Sequence, residues 1–409
     1  MSKSSTLIES AQRHLYGNYK QAPIVFTRGS GVEVFDVDGK RYLDFAAGVA
    51  VSVVGHAHPT LVAAIVEQAG RQIHVSNYFY NDRNIELAEQ LCKRTGYDRA
   101  FFCNSGAEAN EALLKLARHH FYGKGDKSRQ RVIAFHNAFH GRTMGALSMT
   151  GTPKYREGFG EMGPITHVAY GDLDAVKAAM GADVCAVIVE PVQGEGGVNV
   201  APAGFIAGLR ALCDSNGSLL LVDEVQTGVG RLGRFLGHDG CGARADAIAL
   251  AKGLGGGVPI GAMLTTEALA NALPPGTHGS TFGGNPLACA ASLAVLKITD
   301  DEKLVLAAKN RGEKLHGLLT RLAADLPLVC EGARGDGLLR GLVLRQGIVA
   351  RDVLGKLQQA GVLLTAAGER VIRFSPPLIV TDAQLDEGVA VVRAVLVAMS
   401  PTAQANANV

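Results

Sequence analysis

The sequence predicts an α/β protein in which a large domain holds a mainly parallel β-sheet between helices, beside a smaller α+β domain. Short apolar runs without alternation, such as VIAF (132–135), AVIV (186–189) and LLLV (219–222), are typical of strands buried on both faces. Stretches with helical periodicity separate these runs, as consecutive β–α–β units require. The chain has 409 residues, which is long for one core, so two domains are expected.

Both chain ends are expected to form the smaller domain. Residues 31–45 alternate between apolar and polar types around Asp38 and Gly39, which predicts a β-hairpin. The stretches 61–73 and 84–96 have the periodicity of helices. A long helical stretch from about residue 305 leads to the strand-like VIRFSPPL. The expected division is an N-terminal segment of the small domain over 1–55, a large domain over 56–304 and a C-terminal small domain over 305–409.

Composition limits the possible partners and the compartment. The formal net charge is only +2, which gives no electrostatic reason to expect nucleic acid or an anionic membrane as a partner. No apolar run reaches the length of a transmembrane helix, and the N-terminus lacks the apolar region of a secretory signal. The seven cysteines are odd in number, widely spaced and without a C-x-x-C pair. We therefore expect reduced thiols and a cytoplasmic protein.

Polar and glycine-rich segments follow the predicted strands. Open α/β sheets bind ligands at the carboxyl ends of their strands, so these segments are expected to meet at one rim. They are NSGAEANEA (104–112), HNAFHGRT (136–143), PVQGEGG (191–197), DEVQTG (223–228) and KGLGGG (252–257).

Two of these segments suggest a phosphorylated aldehyde cofactor. Ser105, Gly106 and Ala107 begin a predicted helix, whose free N–H groups and positive end attract a phosphate, although an ordinary capped helix has the same pattern. Lys252 ends a buried strand, where a lysine that forms a Schiff base is one explanation and a lysine reaching towards solvent is the other. The glycines after Lys252 allow a bulky group to lie close to the backbone.

Asp223 extends this interpretation to pyridoxal 5'-phosphate (PLP). Catalysis by PLP needs a protonated pyridine nitrogen, and a carboxylate at a strand end holds that proton. Gln226 is a candidate donor to the phenolic oxygen of the ring, and Phe139 is a candidate to stack on it. A structural carboxylate satisfied by helix N–H groups is the alternative for Asp223.

Three further side chains are candidates for binding substrate. Arg142 and Arg373 could each hold a carboxylate through two parallel hydrogen bonds, and Glu195 could be a mobile counter-charge for one of them. Surface or ion-paired arginines remain the alternative.

Other chemistries find less support. The histidine pairs in GHAHP (55–59) and HNAFH (136–140) lack an acidic third ligand, which favours packing or supporting roles over metal binding. No P-loop or G-x-S-x-G pattern is present, and no G-x-G-x-x-G directly follows a predicted strand, which disfavours a nucleotide loop, a hydrolase nucleophile and a nicotinamide dehydrogenase. A non-catalytic α/β binding protein remains a further alternative.

Taken together, the segments resemble those of class III PLP-dependent aminotransferases. The resemblance covers roughly residues 15–395 and is carried by NSGAEANEA, IAFHNAFHGRT, EPVQGEGGV, LLLVDEVQTGVGRLG, AKGLGGGVPIGAML, HGSTFGGNPLACA and RFSPPL. It implies the PLP-dependent transferase fold of type I and a homodimer with shared active sites.

The resemblance also implies roles for individual residues. Lys252 would bind PLP covalently and move a proton, Asp223 would pair with the pyridine nitrogen and Gln226 with the phenolic oxygen. The other implied roles are phosphate binding by Ser105, Gly106 and Ala107, ring stacking by Phe139, a contact of Thr281 with the phosphate in the neighbouring subunit, and substrate binding by Arg142, Ser280, Glu195, Arg373 and Tyr19.

The implied reaction transfers the side-chain amino group of N2-acetylornithine to 2-oxoglutarate by a ping-pong scheme, without a metal. Succinylornithine, ornithine, succinyl-diaminopimelate and 4-aminobutyrate remain alternative donors within the same fold. An intramolecular aminomutase acting on glutamate semialdehyde is the alternative reaction, and it would need no 2-oxoglutarate.

Overall fold

Residues 3–399 are described by a computed structural model. Their helices are α1 (Lys3–His14), α2 (Ala47–Ala50), α3 (Pro59–Arg71), α4 (Asp82–Thr95), α5 (Gly106–Gly123), α6 (Met144–Met149), α7 (Leu173–Ala179), α8 (Phe205–Asn216), α9 (Pro286–Asp301), α10 (Leu304–Asp325), α11 (Ala350–Gln359) and α12 (Asp382–Ala398). Their strands are β1 (Phe26–Ser30), β2 (Glu33–Asp36), β3 (Arg41–Asp44), β4 (Arg99–Cys103), β5 (Arg131–Phe135), β6 (Ile165–Val168), β7 (Val184–Val189), β8 (Val192–Gln193), β9 (Asn199–Val200), β10 (Leu219–Asp223), β11 (Ala247–Leu250), β12 (Gly261–Thr265), β13 (Cys330–Asp336), β14 (Leu339–Leu344), β15 (Val362–Leu363), β16 (Thr365–Ala367) and β17 (Val371–Phe374).

The central sheet has seven strands in the order β4-β12-β11-β10-β7-β5-β6. The pairs among β11, β10, β7, β5 and β6 are parallel, whereas β12 runs antiparallel to both β4 and β11. The connection from β11 to β12 contains a single 3-10 turn and no crossover helix. A parallel return needs such a crossover, so β12 reverses direction. The predicted mainly parallel sheet is therefore confirmed, with one reversed strand.

Burial on both faces explains the unbroken apolar runs. In β10, Leu219 and Leu221 pack into the cluster that contains the apolar face of α5. Leu220 and Val222 pack into the other large cluster, together with Phe205 of α8. Each face of the strand therefore meets a helix layer, and alternation with polar residues would leave a polar group in the core.

The two chain ends meet in smaller sheets. The predicted hairpin is present as β2 and β3, and β3 pairs in parallel with β15 from the C-terminal region. The other small sheet has the order β13-β14-β17-β16. The boundaries at 55/56 and 304/305 stay a prediction, and residues 1–2 and 400–409 of the two outer segments lie outside the described residues. Within residues 3–399, no helix has the length and apolar content that crossing a membrane requires.

The turn α2 has an unusual backbone. Ala47, Gly48, Val49 and Ala50 all have positive φ, between 47° and 66°. Left-handed backbone costs roughly 1–2 kcal/mol per residue that carries a side chain, so neighbouring groups must hold the turn. Asp44 does so by accepting hydrogen bonds from the N–H groups of Ala46 and Ala47.

Candidate active site

A cavity of about 430 Å³ lies at the carboxyl ends of the central strands. Its walls come from the start of α5, the segments after β5, β7 and β10, and the glycine-rich segment after β11. Of the residues predicted from the sequence, the structure places in this cavity Ser105, Gly106, Ala107, Phe139, Arg142, Glu195, Asp223, Gln226 and Lys252. Segments that follow buried strands thus meet at one rim of the sheet, although they are separated by more than 100 residues along the chain.

Asp223 lies at the end of β10 and is held by three donors. Its Oδ2 accepts a hydrogen bond from Nδ2 of Asn110 on α5 at 2.7 Å and lies 2.7 Å from Nδ1 of His140. Its Oδ1 accepts a hydrogen bond from the N–H of Val225 at 2.9 Å. The carboxyl group is 3% exposed and lines the cavity, so its orientation is set before any ligand binds.

His140 therefore has the supporting role that the sequence favoured over metal binding. The imidazole is buried, its Nε2 has no hydrogen-bond partner among the described residues, and the N–H of the same residue donates to Thr150. The histidines of GHAHP instead lie beside carboxylates of other elements, His56 beside Asp44 and His58 beside Glu302.

Lys252 follows β11 and is half-buried at the wall of the same cavity. Its φ of 44° is left-handed, a conformation that a residue with a side chain adopts only where the surroundings impose it. Burial lowers the pKa of its amine, with the nearby positive charge of Arg373 acting in the same direction. No described residue accepts a hydrogen bond from its ammonium group. A buried amine with a lowered pKa is more often unprotonated, the form that attacks a carbonyl carbon.

The start of α5 forms a cradle for an anion. Ser105 caps the helix by accepting a hydrogen bond from the N–H of Glu108, whereas the N–H groups of Gly106 and Ala107 have no acceptor among the described residues. A side chain on Gly261 would lie 2.3 Å from the carbonyl oxygen of Ser105, so only glycine lets β12 come this close. Two unpaired N–H groups at the positive end of an 18-residue helix suit a phosphate group.

Arg373, Glu195 and Gln226 form a polar network along one wall. The guanidinium NH1 of Arg373 donates to Oε1 of Glu195 at 2.5 Å and to the carbonyl oxygen of Gly194 at 2.8 Å. Nε2 of Gln226 also donates to Oε1 of Glu195, at 3.0 Å. Burial alone would raise the pKa of Glu195, but the positive charges of Arg373 and Lys252 and the hydrogen bonds from Arg373 and Gln226 together outweigh burial and lower the pKa. Glu195 is thus a carboxylate held by a cation that is itself 2% exposed.

Arg142 is placed differently from Arg373, because it lines the cavity itself. It is exposed at the cavity wall, and its guanidinium carbon lies 4.0 Å from the centre of the Tyr155 ring. No described carboxylate lies within ion-pair distance of Arg142. A stacked and unpaired guanidinium is available to bind a carboxylate from a ligand.

Four predicted residues do not line this cavity. Arg373 is one of them, and it is connected to the cavity through its hydrogen bonds to Glu195 and Gln226, which do line the wall. Ser280 is near it, because its Oγ accepts a hydrogen bond at 3.2 Å from Nδ2 of Asn104, which does line the wall. Thr281 is exposed and lines a separate crevice with residues 74–77 and 283–286. Tyr19 is 76% exposed and lies with residues 7–26. Within one chain, the structure does not bring Thr281 or Tyr19 to the site.

The structure adds residues that the sequence did not indicate. Asn110, Val225 and Glu190 all line the cavity. Glu190 follows the apolar run of β7 just as Asp223 ends that of β10, so the same strand-end signal could have identified it. Asn110 gave no such signal, because an asparagine one turn into a helix is common on helix surfaces.

The residues present fit PLP. An anion cradle, a buried carboxylate with three donors, and an amine without an acceptor face one cavity, as the phosphate, pyridine nitrogen and aldehyde of that cofactor require. Fold and site together define a PLP-dependent transferase. The family model of class III aminotransferases matches residues 16–396, and the chain belongs to that family.

Relatives of known name agree with this assignment. The chain is 48% identical over 387 residues to an acetylornithine aminotransferase of Myxococcus xanthus, a match that covers 94% of this chain and 96% of the relative. An ornithine aminotransferase structure from Toxoplasma gondii, described with partial occupancy of PLP at the active site, superposes with a TM-score of 0.92 at 37% identity and covers 96% of this chain and 94% of that one. An N-acetylornithine aminotransferase structure from Stenotrophomonas maltophilia has a TM-score of 0.83 at 36% identity, covering 96% and 99%. The chain is therefore a PLP-dependent aminotransferase, which takes an amino donor and a keto acid as substrates.

Proposed function

We propose that this enzyme transfers the side-chain amino group of N2-acetyl-L-ornithine to 2-oxoglutarate, which gives N-acetylglutamate 5-semialdehyde and glutamate in arginine biosynthesis. The observation that carries the proposal is a pair of unlike arginines at one cavity: Arg142 lines the wall unpaired, and Arg373 is neutralised by Glu195, which lines the wall in its place. Acetylornithine and glutamate carry carboxylates at different distances from the reacting amine, so one cavity must bind both. Relatives 43–48% identical to this chain are named acetylornithine aminotransferases, which supports the proposal.

The roles of the residues that would hold PLP follow from the chemistry of that cofactor. Bound PLP supplies an aldehyde that condenses with amines and a ring that accepts the electrons released when a C–H bond breaks. Lys252 supplies the amine for covalent attachment and later carries the proton removed from the substrate carbon. Asp223 keeps a proton on the ring nitrogen, Gln226 donates to the phenolic oxygen and Phe139 stacks on the ring. Ser105, Gly106 and Ala107 bind the phosphate.

The substrate-side roles explain how one pocket serves two substrates. Arg142 binds the α-carboxylate of acetylornithine while Glu195 remains on Arg373 and cancels its charge. For the shorter glutamate, Glu195 moves away and Arg373 binds the α-carboxylate. The pair therefore acts as a switch that responds to the charge distribution of the donor.

We also propose that the functional unit is a cytoplasmic homodimer. Thr281 would contact the phosphate in the neighbouring subunit, with Ser280 near the substrate and Tyr19 at the entrance. Exposed aromatic side chains surround this region and would be covered in a dimer, with exposures of 93% for Tyr78 and 60% for Phe282. All seven cysteines are free thiols, which supports a reducing compartment.

A donor panel tests the proposal. With 2-oxoglutarate as acceptor, acetylornithine should give the highest kcat/KM among acetylornithine, succinylornithine, ornithine, succinyl-diaminopimelate and 4-aminobutyrate. Ornithine is the main competitor, because ornithine aminotransferase structures are among the structural relatives. Preference for another donor would replace the proposed substrate, and product formation without 2-oxoglutarate would indicate the aminomutase reaction instead.

Arg142 gives a more specific test. Its replacement by alanine should lower kcat/KM for acetylornithine by about 10- to 150-fold, the range expected when a hydrogen bond between charged groups worth about 1.5–3 kcal/mol is lost. Lys154→Ala is the matched control, because Lys154 is an exposed cation beside Tyr155 that does not line the cavity. Equal losses in both variants would exclude specific carboxylate binding by Arg142.

A further inference from the structure

Two carboxyl groups stand side by side at the floor of the cavity. Strands β7 and β10 are parallel neighbours, and Val189 pairs with Val222. The residues that follow this pair along the chain are Glu190, directly after β7, and Asp223, the last residue of β10. Adjacent parallel strands lie about 5 Å apart, and residues in register point to the same side of the sheet. Glu190 and Asp223 both line the cavity and are 7% and 3% exposed, so water screens their mutual repulsion poorly.

The hydrogen bonds distinguish the two groups. Asp223 has three donors, from Asn110, His140 and Val225. The carboxyl of Glu190 has one, the N–H of Phe139, which lies 3.2 Å from Oε2. Hydrogen bonds from several donors stabilise a carboxylate, whereas burial with few donors favours the neutral acid. When two carboxyls share a site in this way, the proton resides on the less solvated one.

The charged groups around Glu190 do not reverse this assignment. Lys252, after β11, lines the same cavity and its positive charge lowers the pKa of Glu190, but Lys252 is the residue to which PLP would be attached. Glu195 is anionic and is neutralised by Arg373. The hydroxyl of Tyr170 donates to the main-chain oxygen of Glu190 rather than to its carboxyl. Burial raises the pKa of Glu190, and the negative charge of Asp223 raises it further.

We propose that Glu190 is an uncharged carboxylic acid that positions Phe139 and leaves Asp223 as the only anion on the floor of the cavity. Phe139 is anchored through its backbone N–H, so the acid fixes the aromatic ring that would stack on PLP without adding a second negative charge near the pyridine nitrogen. Glu190 is thus a positioning residue that acts through Phe139 and Asp223. The inference rests on the PLP site and not on the identity of the amino donor, so another preferred donor would leave it intact.

The pH dependence of stability distinguishes a neutral Glu190 from a charged one. A neutral acid keeps its proton in the folded chain after the unfolded chain has lost it above its ordinary pKa of 4.5, so stability falls as pH rises. Glu190→Gln removes this proton. Relative to the wild-type holoenzyme, the variant should therefore become more stable as pH rises. Its unfolding equilibrium constant should fall about tenfold per pH unit relative to that of the wild type, over the interval in which Glu190 is protonated in the folded wild type but ionised in the unfolded wild type.

Unfolding is measured from pH 5 to pH 8.5 with saturating PLP, with Glu89→Gln on the exposed face of α4 as the control. A difference that is flat with pH, or that favours the wild type as pH rises, overturns the proposal. Infrared spectroscopy of the wild type provides a second measurement, which does not depend on the folding of a variant. The C=O stretching band of a protonated carboxyl should persist at pH 7, where exposed carboxyls are ionised, and should disappear in Glu190→Gln. Absence of this band in the wild type overturns the proposal even if the variant does not fold.

The positioning of Phe139 is tested separately. Glu190→Ala leaves the N–H of Phe139 without an acceptor, and the dissociation constant for PLP should rise about tenfold. In Glu190→Gln, the amide oxygen still accepts this hydrogen bond, and the change should stay below about threefold. Equal PLP affinity in the alanine and glutamine variants would show that Glu190 does not position Phe139.

Discussion

Removal of the negative charge at position 195 should shift the donor preference of the enzyme from acetylornithine towards glutamate. In the wild type, the carboxylate of Glu195 occupies the guanidinium that glutamate needs, at 2.5 Å from NH1 of Arg373. In Glu195→Gln and Glu195→Ala, Arg373 keeps its neutral acceptors, which are the carbonyl oxygen of Gly194, Oγ1 of Thr365 and Oε1 of Gln226. It loses the one anionic acceptor that it has among residues 3–399. The freed cation is then permanently available to an α-carboxylate.

The size of the effect follows from the burial of the pair. Close charge pairs in protein interfaces have coupling energies that begin at about 1.5 kcal/mol. The Arg373 side chain is 2% exposed, but that of Glu195 is 28% exposed, so we take a value near the lower end, about 2 kcal/mol. At 1.4 kcal/mol per factor of ten, kcat/KM for the half-reaction with glutamate should rise about 30-fold relative to that with acetylornithine.

The assay is single-turnover conversion of the bound cofactor, followed by its absorbance, with glutamate and with acetylornithine. The control is Glu331→Gln, which breaks an ion pair with Arg370 whose two side chains are 35% and 37% exposed. Exposed pairs contribute about 0–1 kcal/mol, so this variant should leave the donor ratio unchanged. If the donor ratio stays at the wild-type value in both folded Glu195 variants, the switch is refuted.

Three other perturbations have defined outcomes. In Lys252→Ala, borohydride should fix no PLP to the protein, whereas wild type should carry the added mass on Lys252; fixation at another lysine would contradict the assignment. In Gly194→Ala, the new Cβ would lie 1.6 Å from Oε1 of Gln226, so the displaced amide should raise the dissociation constant for PLP about tenfold while the far-ultraviolet spectrum stays the same. Glu224 and His238 form a buried pair at 2.6 Å. Burial opposes both charges, but their mutual hydrogen bond lowers the pKa of Glu224 below 4.5 and raises that of His238 above 6.5. The stability that the pair contributes should therefore be greatest between about pH 4.5 and 6.5. It should fall below this window as Glu224 takes up a proton, and above it as His238 loses one. Glu224→Gln should lower the free energy of unfolding by about 3 kcal/mol within the window, as measured by chemical denaturation, and an unchanged pH profile of stability would exclude the ion pair.

The sequence predicted the fold class through patterns that depend on local geometry. Apolar runs without alternation marked strands such as β7 and β10, because a strand covered by helices on both faces has no polar side. Helical periodicity marked α3 and α4 to within two residues at each end. The direction of β12 was not predicted, because the loop length that reverses it is visible only once its neighbours in the sheet are known.

The candidate site was predictable to a similar depth. Residues that follow buried strands collect at one rim, and this rule identified Asp223, Gln226 and Lys252 without any coordinates. The same rule would have reached Glu190, but its side chain offered no distinctive pattern until Asp223 was found beside it. Tyr19 and Thr281 were assigned by resemblance, and their proposed roles need a second subunit that a single chain does not contain.

The sequence by itself determined which segments become strands, which become helices and which polar segments meet at the cavity, since these follow from the periodicity of each segment and from its position after a buried strand. Only the tertiary structure decided how those residues pair. His140 and Asp223 are 83 residues apart, and Glu195 and Arg373 are 178 apart. Strand order and register bring such pairs together, and they are set by packing across the whole core rather than by any local pattern. Charge and protonation in the site depend on those contacts, which is why the electrostatics could be argued only from the folded chain.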